Sequence, residues 1–408
     1  MPWGYLAGVL VVAIATAAAL SGPRMRPSYV RHLLGFVVNE IPTVGALWLG
    51  AVTLLALARG DLDSIGGWAA VGVAVVTAVG LAILASRALR ADDAVARALD
   101  DGLGADRAVA DSPSWRRRMR LGVLLLAPIG LRPRGVVRVA NLSYGDAGER
   151  NLLDLYRRRS GPSDGPTLVY LHGGSFRRGR KSRESRALLH RLARRGWTCI
   201  SATYRLSPAA RFPDHAVDAK KVISWVRTRG PEYGASPLVV VAGSSAGAHL
   251  AAFAALTPTD PALQPGFESA DTSVAAAVCL YGYFGGVTGA SGRPSSPAAY
   301  IGPDAPPFFV AHGDADALVQ VDHARAFVRR LRGASSAPVV YAELPGGQHG
   351  FDLFRSVRYE AVVDGIEAFL AEVLPPGASP RPGQEEGADS AAERPADGAA
   401  DRPRAARG

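Results

Sequence analysis

The stretch from Val239 to His249 constrains the fold of this chain more than any other. An apolar, β-branched run meets the pentapeptide Gly243-Ser244-Ser245-Ala246-Gly247, and an alanine-rich stretch follows through about Leu256. This pattern predicts a strand, a sharp turn and a helix, with the Ser245 hydroxyl standing clear of the sheet. A Cβ at either flanking glycine would clash in so tight a bend. The alternative, a Gly/Ser-rich helix start without chemistry, is disfavoured because a strand pattern precedes the turn and a helix pattern follows it.

Short strand patterns alternate with helix patterns from residue 136 to residue 374. Such alternation predicts an α/β fold with a doubly wound, mostly parallel sheet covered by helices on both faces. The predicted strands are Val136–Ser143, Asn151–Tyr156, Thr167–Leu171, Thr198–Thr203, the run from Val239, Val274–Leu280, Phe308–Ala311 and Val339–Glu343. The predicted helices are Asp214–Arg229, the stretch through Leu256, Asp322–Leu331 and Ser356–Val373.

A serine at such a turn needs a base to take its proton. Histidine is the usual base because its pKa lies near neutrality. In a parallel sheet the base must stand at the carboxyl end of a strand, and three of the eight histidines, His172, His312 and His349, follow predicted strands. Only His349 lies in a glycine-flanked loop after the last strand, so we predict that it is the base. His172 is expected to shape the glycine loop that it begins.

The base needs a carboxylate that holds its tautomer. Asp314 and Asp316 share the loop that follows the strand Phe308–Ala311, and Asp316 lies deeper in that loop. Asp316 is therefore the preferred acid. Asp352, just after the histidine, remains its rival.

An oxyanion requires two or three backbone amides in fixed positions. Gly173 and Gly174 follow a predicted strand and offer a backbone without Cβ atoms. The amide of Ala246 lies at the start of a helix, where it would point at a developing negative charge. We predict that these three amides form the oxyanion hole.

The order Ser245, Asp316, His349, with His172-Gly173-Gly174 upstream, resembles the α/β-hydrolase fold of the esterase/lipase type. Over about residues 136–374 the chain is similar to hormone-sensitive-lipase-like carboxylesterases, and in detail to membrane-anchored actinobacterial Lip-type and feruloyl-esterase-like enzymes. The resemblance implies ester hydrolysis through an acyl-enzyme, with these residues as nucleophile, acid, base and oxyanion amides and without metal or cofactor. Ser244 departs from the aspartate that many of these lipases have.

The N-terminal helical cap of these enzymes is expected to be missing, because apolar segments precede the first strand. Short or medium acyl esters are therefore the expected substrates. Two alternatives use the same residues. An amide hydrolase, such as an aryl formamidase or a peptidase-like enzyme, would use the same triad, whereas a non-catalytic binding protein of this fold would usually have lost a triad residue. The sequence indicates no oligomeric state.

Three apolar stretches without charge, residues 3–20, 41–58 and 64–86, precede the alternating region. Each is long enough to cross a bilayer, so residues 1–90 are predicted to form a membrane domain with three transmembrane helices. A signal peptide cleaved after Ala19 is the alternative for the first stretch, but no basic region precedes it. Glu40, just before the second stretch, is interpreted as an interfacial carboxylate rather than an intramembrane functional residue.

The remaining segments are polar. Residues 91–135 are predicted to be a linker, helical at first, with the basic cluster Trp115–Arg120 on the membrane surface, and residues 375–408 a disordered tail. The formal net charge of +10 fits contact with anionic lipids, because no nucleic-acid-binding motif accompanies it. Basic residues around the apolar stretches predict a multi-pass protein of the cell membrane whose catalytic domain faces the cytoplasm. The unpaired Cys199 and Cys279 agree with that compartment.

Overall fold

Among the residues that the computed structural model describes, 3–21, 28–104, 133–161, 163–287 and 293–378, eight strands form one sheet. They are β1 (Val136–Ser143), β2 (Leu152–Arg158), β3 (Thr167–Leu171), β4 (Thr198–Ala202), β5 (Val239–Ser244), β6 (Ala276–Leu280), β7 (Phe308–Gly313) and β8 (Val339–Leu344). Their order is β1-β2-β4-β3-β5-β6-β7-β8. Strand β2 runs antiparallel to β1 and β4, and all other pairings are parallel, as predicted.

Helices cover both faces of the sheet. The helices are α1 (Trp3–Leu20), α2 (Tyr29–Glu40), α3 (Pro42–Ala58), α4 (Ile65–Leu89), α5 (Ala91–Leu103), α6 (Arg186–Arg194), α7 (Asp214–Thr228), α8 (Ala246–Leu256), α9 (Asp322–Ala334) and α10 (Val357–Val373). The apolar sides of α7, α8 and α9 pack in one core layer, and those of α5, α6 and α10 pack in the other. This arrangement brings the ends of β3, β5, β7 and β8 to one edge of the sheet.

Helix α5 corrects the predicted linker over residues 91–135. It is helical, as expected, but its residues Ala91, Val95 and Ala98 are buried in the core layer that also contains α10. At Gly102 an added Cβ would lie 2.7 Å from the carbonyl oxygen of Val339, so the helix lies directly on β8. The catalytic domain therefore includes α5. The basic cluster 115–120 and residues 379–408 lie outside the described residues.

The N-terminal helices agree in part with the predicted spans. Helix α1 and the helical run that begins at Ile65 are long and apolar enough to cross a membrane. Helix α3, which matches the second predicted stretch, is bent by 86° from α2, and the two helices add a third crossing if they count as one broken span. Helix α2 itself was not expected from the sequence.

A buried polar cluster joins the end of α2 to the catalytic domain. Glu40 accepts a hydrogen bond from Arg358 of α10 at 2.7 Å, and both side chains are almost completely buried. Asn39 donates to the carbonyl oxygen of Gly346 at 3.0 Å and to Glu40 at 2.8 Å. Gly346 begins the loop that carries His349. The carboxylate interpreted from sequence as interfacial is therefore the partner of a buried arginine.

Replacing Glu40 by alanine is expected to reduce the free energy of unfolding by about 3 to 5 kcal/mol, because Arg358 would be left buried without a counter-ion. The double variant Glu40→Leu/Arg358→Met removes both charges and should recover most of that loss. Urea unfolding of the three proteins in detergent checks this. A double variant as unstable as the single one would contradict the ion-pair explanation.

Candidate active site

Ser245 lies at the turn between β5 and α8, as the pentapeptide predicts. Its backbone angles are φ 54° and ψ −116°, a conformation that is strained for a residue with a side chain. A Cβ at Gly243 would lie 2.3 Å from the backbone of Gly247, and one at Gly247 would lie 2.0 Å from the carbonyl oxygen of Leu171. The turn can close against β3 only because both positions are glycine.

The three residues predicted to act together are in hydrogen-bond contact. His349 Nε2 lies 2.9 Å from Ser245 Oγ, and His349 Nδ1 lies 2.7 Å from Asp316 Oδ2. They come from the turn after β5, the loop after β7 and the loop after β8. This geometry fits a serine activated by an imidazole that a carboxylate orients.

Asp316 is held as an acceptor by several donors. The amides of Leu318 and Val319 donate to Oδ1 at 2.8 and 2.9 Å. Burial opposes ionisation of Asp316, but the nearby charge and hydrogen bonds of His349 and His312 outweigh it, so the pKa of this carboxyl lies well below its usual range. His312 Nε2 lies 3.3 Å from Asp316 Oδ2 and 3.0 Å from the carbonyl oxygen of Val319. The sequence marks His312 only as a histidine that follows a strand and does not predict its contact with Asp316.

The rival acid Asp352 faces a different set of partners. Its Oδ2 accepts hydrogen bonds from Ser244 Oγ and Ser185 Oγ, both at 2.6 Å, and from Tyr170 at 3.0 Å, while Tyr281 donates to Oδ1. The two oxygens of this buried carboxyl are therefore hydrogen-bonded to four hydroxyl groups. The bond from Ser244 ties the turn around Ser245 to Asp352.

The other rival, Asp314, accepts a hydrogen bond from the Gly346 amide at 2.7 Å. That bond ties the loop after β7 to the loop after β8. The carboxyl of Asp314 therefore faces the start of the loop that carries His349.

A second carboxyl, that of the half-buried Glu184, lies behind the glycine loop. The amide of Gly173 donates to Glu184 Oε2 at 2.5 Å, and the hydroxyl of Tyr170 lies 3.4 Å from the same oxygen. Burial and the neighbouring Asp352 raise the pKa of Glu184 to about 8. Glu184 therefore holds a proton at neutral pH. The sequence around Glu184 carries no motif that would have identified it.

The predicted oxyanion amides differ in their availability. In the described part of the chain, the amides of Gly174, Ser175 and Ala246 have no hydrogen-bond acceptor, whereas the Gly173 amide is engaged by Glu184.

His172 shapes the loop as expected: its ring stacks on Tyr204 at 4.4 Å, and burial lowers its pKa to about 4.

Helix α2 covers the site, which corrects the expectation that an N-terminal cap is missing. The ring of His32 lies 6.3 Å from the ring of His349, and Phe36 packs on Phe354 at 5.4 Å. The amide of Ser28, just before the helix, donates to the carbonyl oxygen of Ala317, next to the acid. The apolar stretches before the first strand do not replace the cap, because the segment between two of them forms it.

Comparison with known proteins agrees with this geometry. A family profile described as BD-FAE matches residues 153–285. The probable carboxylic ester hydrolase LipM of Mycobacterium tuberculosis is 39% identical over 406 residues, which cover 90% of this chain and 93% of LipM. The esterase LipQ of the same organism is 38% identical over 319 residues, or 70% of this chain and 76% of LipQ. The chain belongs to the family of Lip-type carboxylic ester hydrolases.

Solved structures place the Lip-type chain in the same fold. The apo form of Thermogutta terrifontis esterase 2 superposes with a TM-score of 0.52 at 25% identity, covering 60% of this chain and 97% of that esterase. A carbohydrate esterase from gut microbiota, 22% identical, matches the fold with a TM-score of 0.51 over 58% of this chain and 96% of its own. The Lip-type chain is thus an ester-cleaving hydrolase with an α/β-hydrolase fold. Its described residues contain no group of three or more His, Cys, Asp or Glu side chains placed to hold a metal ion.

The raised pKa of Glu184 predicts a pH-dependent stability. The folded state holds a proton that the unfolded state releases near pH 4.5, so this contribution to stability is lost as pH rises through about 8. Glu184→Gln keeps the neutral shape and does not titrate. Between about pH 4.5 and about pH 8, the unfolding free energy of the variant relative to the wild type should therefore rise by up to about 1.4 kcal/mol per pH unit.

Denaturant unfolding between pH 5 and pH 9 checks this difference. Glu149→Gln, which changes an exposed carboxyl, is the matched control and should follow the wild type. Parallel pH profiles for Glu184→Gln and the wild type would show that Glu184 does not hold its proton.

Proposed function

We propose that this Lip-type hydrolase is a membrane-anchored serine esterase that works through an acyl-enzyme, with Ser245 as nucleophile, His349 as base and Asp316 as acid. The observation that carries the proposal is the continuous hydrogen-bonded series from Ser245 Oγ through both ring nitrogens of His349 to Asp316 Oδ2. Asp352 is not adopted as the acid, because four hydroxyl groups surround its carboxyl.

The chemistry follows from this series. Ser245 Oγ attacks the ester carbonyl while His349 Nε2 takes the hydroxyl proton, and Asp316 stabilises the imidazolium that forms. The tetrahedral intermediate collapses to an acyl-serine as His349 returns the proton to the departing alcohol. Water then attacks the acyl-serine by the same route, releasing the acid and restoring the serine hydroxyl.

We assign the oxyanion hole to the amides of Ala246 and Gly174, which have no acceptor among the described residues. Of the three predicted donors, Gly173 is given a different role. Its amide is bound to Glu184, and a Cβ there would lie 3.1 Å from Ser245 Cβ, so the residue allows close approach of the loop to the nucleophile. The free amide of Ser175 is the third donor in place of Gly173.

Ser245→Ala should abolish ester hydrolysis without unfolding the protein, because it removes only one hydroxyl group from the turn. The rate should fall by roughly four orders of magnitude or more. Hydrolysis of 4-nitrophenyl butyrate by the two purified full-length proteins measures the loss. An organophosphonate should label the wild type at Ser245, and label found on another serine would refute the assignment.

Esters with short or medium acyl groups are the proposed substrates. This range of acyl lengths was predicted from a missing N-terminal cap. Helix α2 forms a cap, and its position supports the same range of acyl lengths. His32 and Phe36 lie immediately over the His349 loop and restrict the room above the nucleophile. A series of 4-nitrophenyl esters should therefore show its highest kcat/KM at about C8 or below, because pockets match the groups that they enclose. An optimum at C16 would contradict the proposal.

Three membrane crossings, α1, α3 and α4, are proposed for residues 1–90. Contacts between α2 and the catalytic domain support this number, because they require the first loop to lie on the same side of the membrane as residues after α4. Crossings by α3 and α4 return the chain to the side of the first loop. With α1, which begins on the opposite side, the total is three. Arg24, Arg26 and Arg31 in the first loop favour the cytoplasm for that side.

The topology predicts the outcome of reporter fusions after Arg90. Green fluorescent protein should be fluorescent at this position and alkaline phosphatase inactive, because residues beyond α4 are expected in the cytoplasm. A fusion after Asp61, in the second loop, should give the opposite pair of results and serves as the internal control. Active phosphatase after Arg90 would reverse the proposed orientation.

A further inference from the structure

Helix α2 carries an exposed apolar stripe, which an ordinary surface helix in water lacks. Its inward face buries Asn39 and Glu40 together with Gly35 and Val38, and His32 and Phe36 lie against the catalytic domain. Its outward face is an apolar stripe at helical spacing, formed by Tyr29, Val30, Leu33, Leu34 and Val37. Val30 exposes 65% of its surface and Leu33 exposes 56%. A surface helix in water exposes a polar face instead, so the medium outside α2 is expected to be apolar.

This stripe belongs to a larger apolar surface. In the part of the chain that the structure describes, every exposed large apolar side chain lies between Trp3 and Leu89. The described residues from 133 to 378 expose none. Helix α2 packs against α1, α3 and α4, so its outward face lies beside the surfaces of the proposed crossings, and an exposed apolar surface of this kind marks a contact with membrane or protein.

The orientation of α2 suits the plane of a membrane. Helix α3 begins two residues after α2 ends, and the two axes differ by 86°. With α3 across the bilayer, α2 lies almost parallel to the membrane surface, at the end of α3 where the catalytic domain is attached. Twelve residues of helix make it about 18 Å long.

Helix α2 is also a fixed part of the active-site wall. At its start, the Ser28 amide bonds to the carbonyl oxygen of Ala317 at 3.1 Å, and at its end Asn39 and Glu40 bond to Gly346 and Arg358. Between these attachments, His32 lies over His349 with 6.3 Å between ring centres. One helix diameter therefore separates the catalytic base from the apolar stripe.

We propose that α2 lies in the headgroup layer with its apolar stripe in lipid, and that the active site takes its ester from the membrane surface. The substrate class is a short- or medium-chain acyl ester of an alcohol that partitions into the bilayer. This inference rests on the proposed esterase function. An apolar alcohol concentrates the ester in the lipid layer, next to the wall formed by α2.

The position of α2 can be measured by fluorescence. Cys199 and Cys279 are completely buried, so a cysteine introduced by Leu33→Cys is available for labelling in the folded protein. The full-length variant is labelled with the environment-sensitive dye NBD in nanodiscs of phosphatidylethanolamine and phosphatidylglycerol. Lipids spin-labelled near the headgroup should quench the dye, and aqueous iodide should not. Ala326→Cys, on the exposed face of α9, is the control and should give the reverse result.

The source of the substrate is tested with two butyrate esters. Hexadecyl butyrate resides in the nanodisc bilayer, whereas 4-nitrophenyl butyrate is supplied from water. Leu33→Asp should lower the hydrolysis of hexadecyl butyrate by about threefold, because a carboxylate is disfavoured where the stripe meets lipid, and change that of 4-nitrophenyl butyrate less than twofold. Ala326→Asp, the matched control, should change neither rate.

The outcomes separate the two proposals. Quenching of the Leu33 label by iodide, or an equal effect of Leu33→Asp on both esters, would overturn the membrane-surface inference while leaving the esterase intact. If the wild type hydrolyses neither ester, the proposed function fails, and the label still decides where α2 lies.

Discussion

The strained turn at Ser245 is the constraint on which the rest of this structure depends. A residue with a side chain stays at φ 54° only where its surroundings hold it there. The glycines on either side let the turn pack against the carbonyl oxygen of Leu171, at the end of β3. The same close packing brings the glycine loop after β3 beside Ser245. The parallel sheet then brings Asp316 and His349 to the same edge from β7 and β8.

Beneath this turn lies a buried network of carboxyl and hydroxyl groups. Asp352 joins Ser244 of the nucleophile turn to Ser185 and Tyr281, and Glu184 holds the amide of Gly173. Polar groups buried away from water are favourable only when each has a hydrogen-bond partner. The network therefore fixes the glycine loop and the nucleophile turn relative to each other.

The N-terminal helices are also hydrogen-bonded to the catalytic domain. Asn39 is bonded to the loop that carries His349, and Glu40 is bonded to the first turn of α10, so the junction of α2 and α3 is attached to the same edge of the sheet as the candidate active site. The proposed membrane crossings and the helix that covers the site are one continuous piece of chain, so the proposed anchor is joined to the catalytic domain by more than a linker.

The sequence by itself determined the α/β fold and the strand–turn–helix pattern around Ser245, and it placed His349 and the three candidate acids in loops that follow strands, because local periodicity and glycine spacing encode these features. It also located the apolar stretches, which depend on length and charge alone. Tertiary structure decided the rest. Asp314, Asp316 and Asp352 are alike in sequence, and only the folded loops turn one of them toward His349. The bond between Glu184 and the Gly173 amide depends on how the loop between them folds, and no motif marks it. The placement of α2 over the site depends on partners distant in the chain, 318 residues apart for Glu40 and Arg358, and no local pattern carries that information.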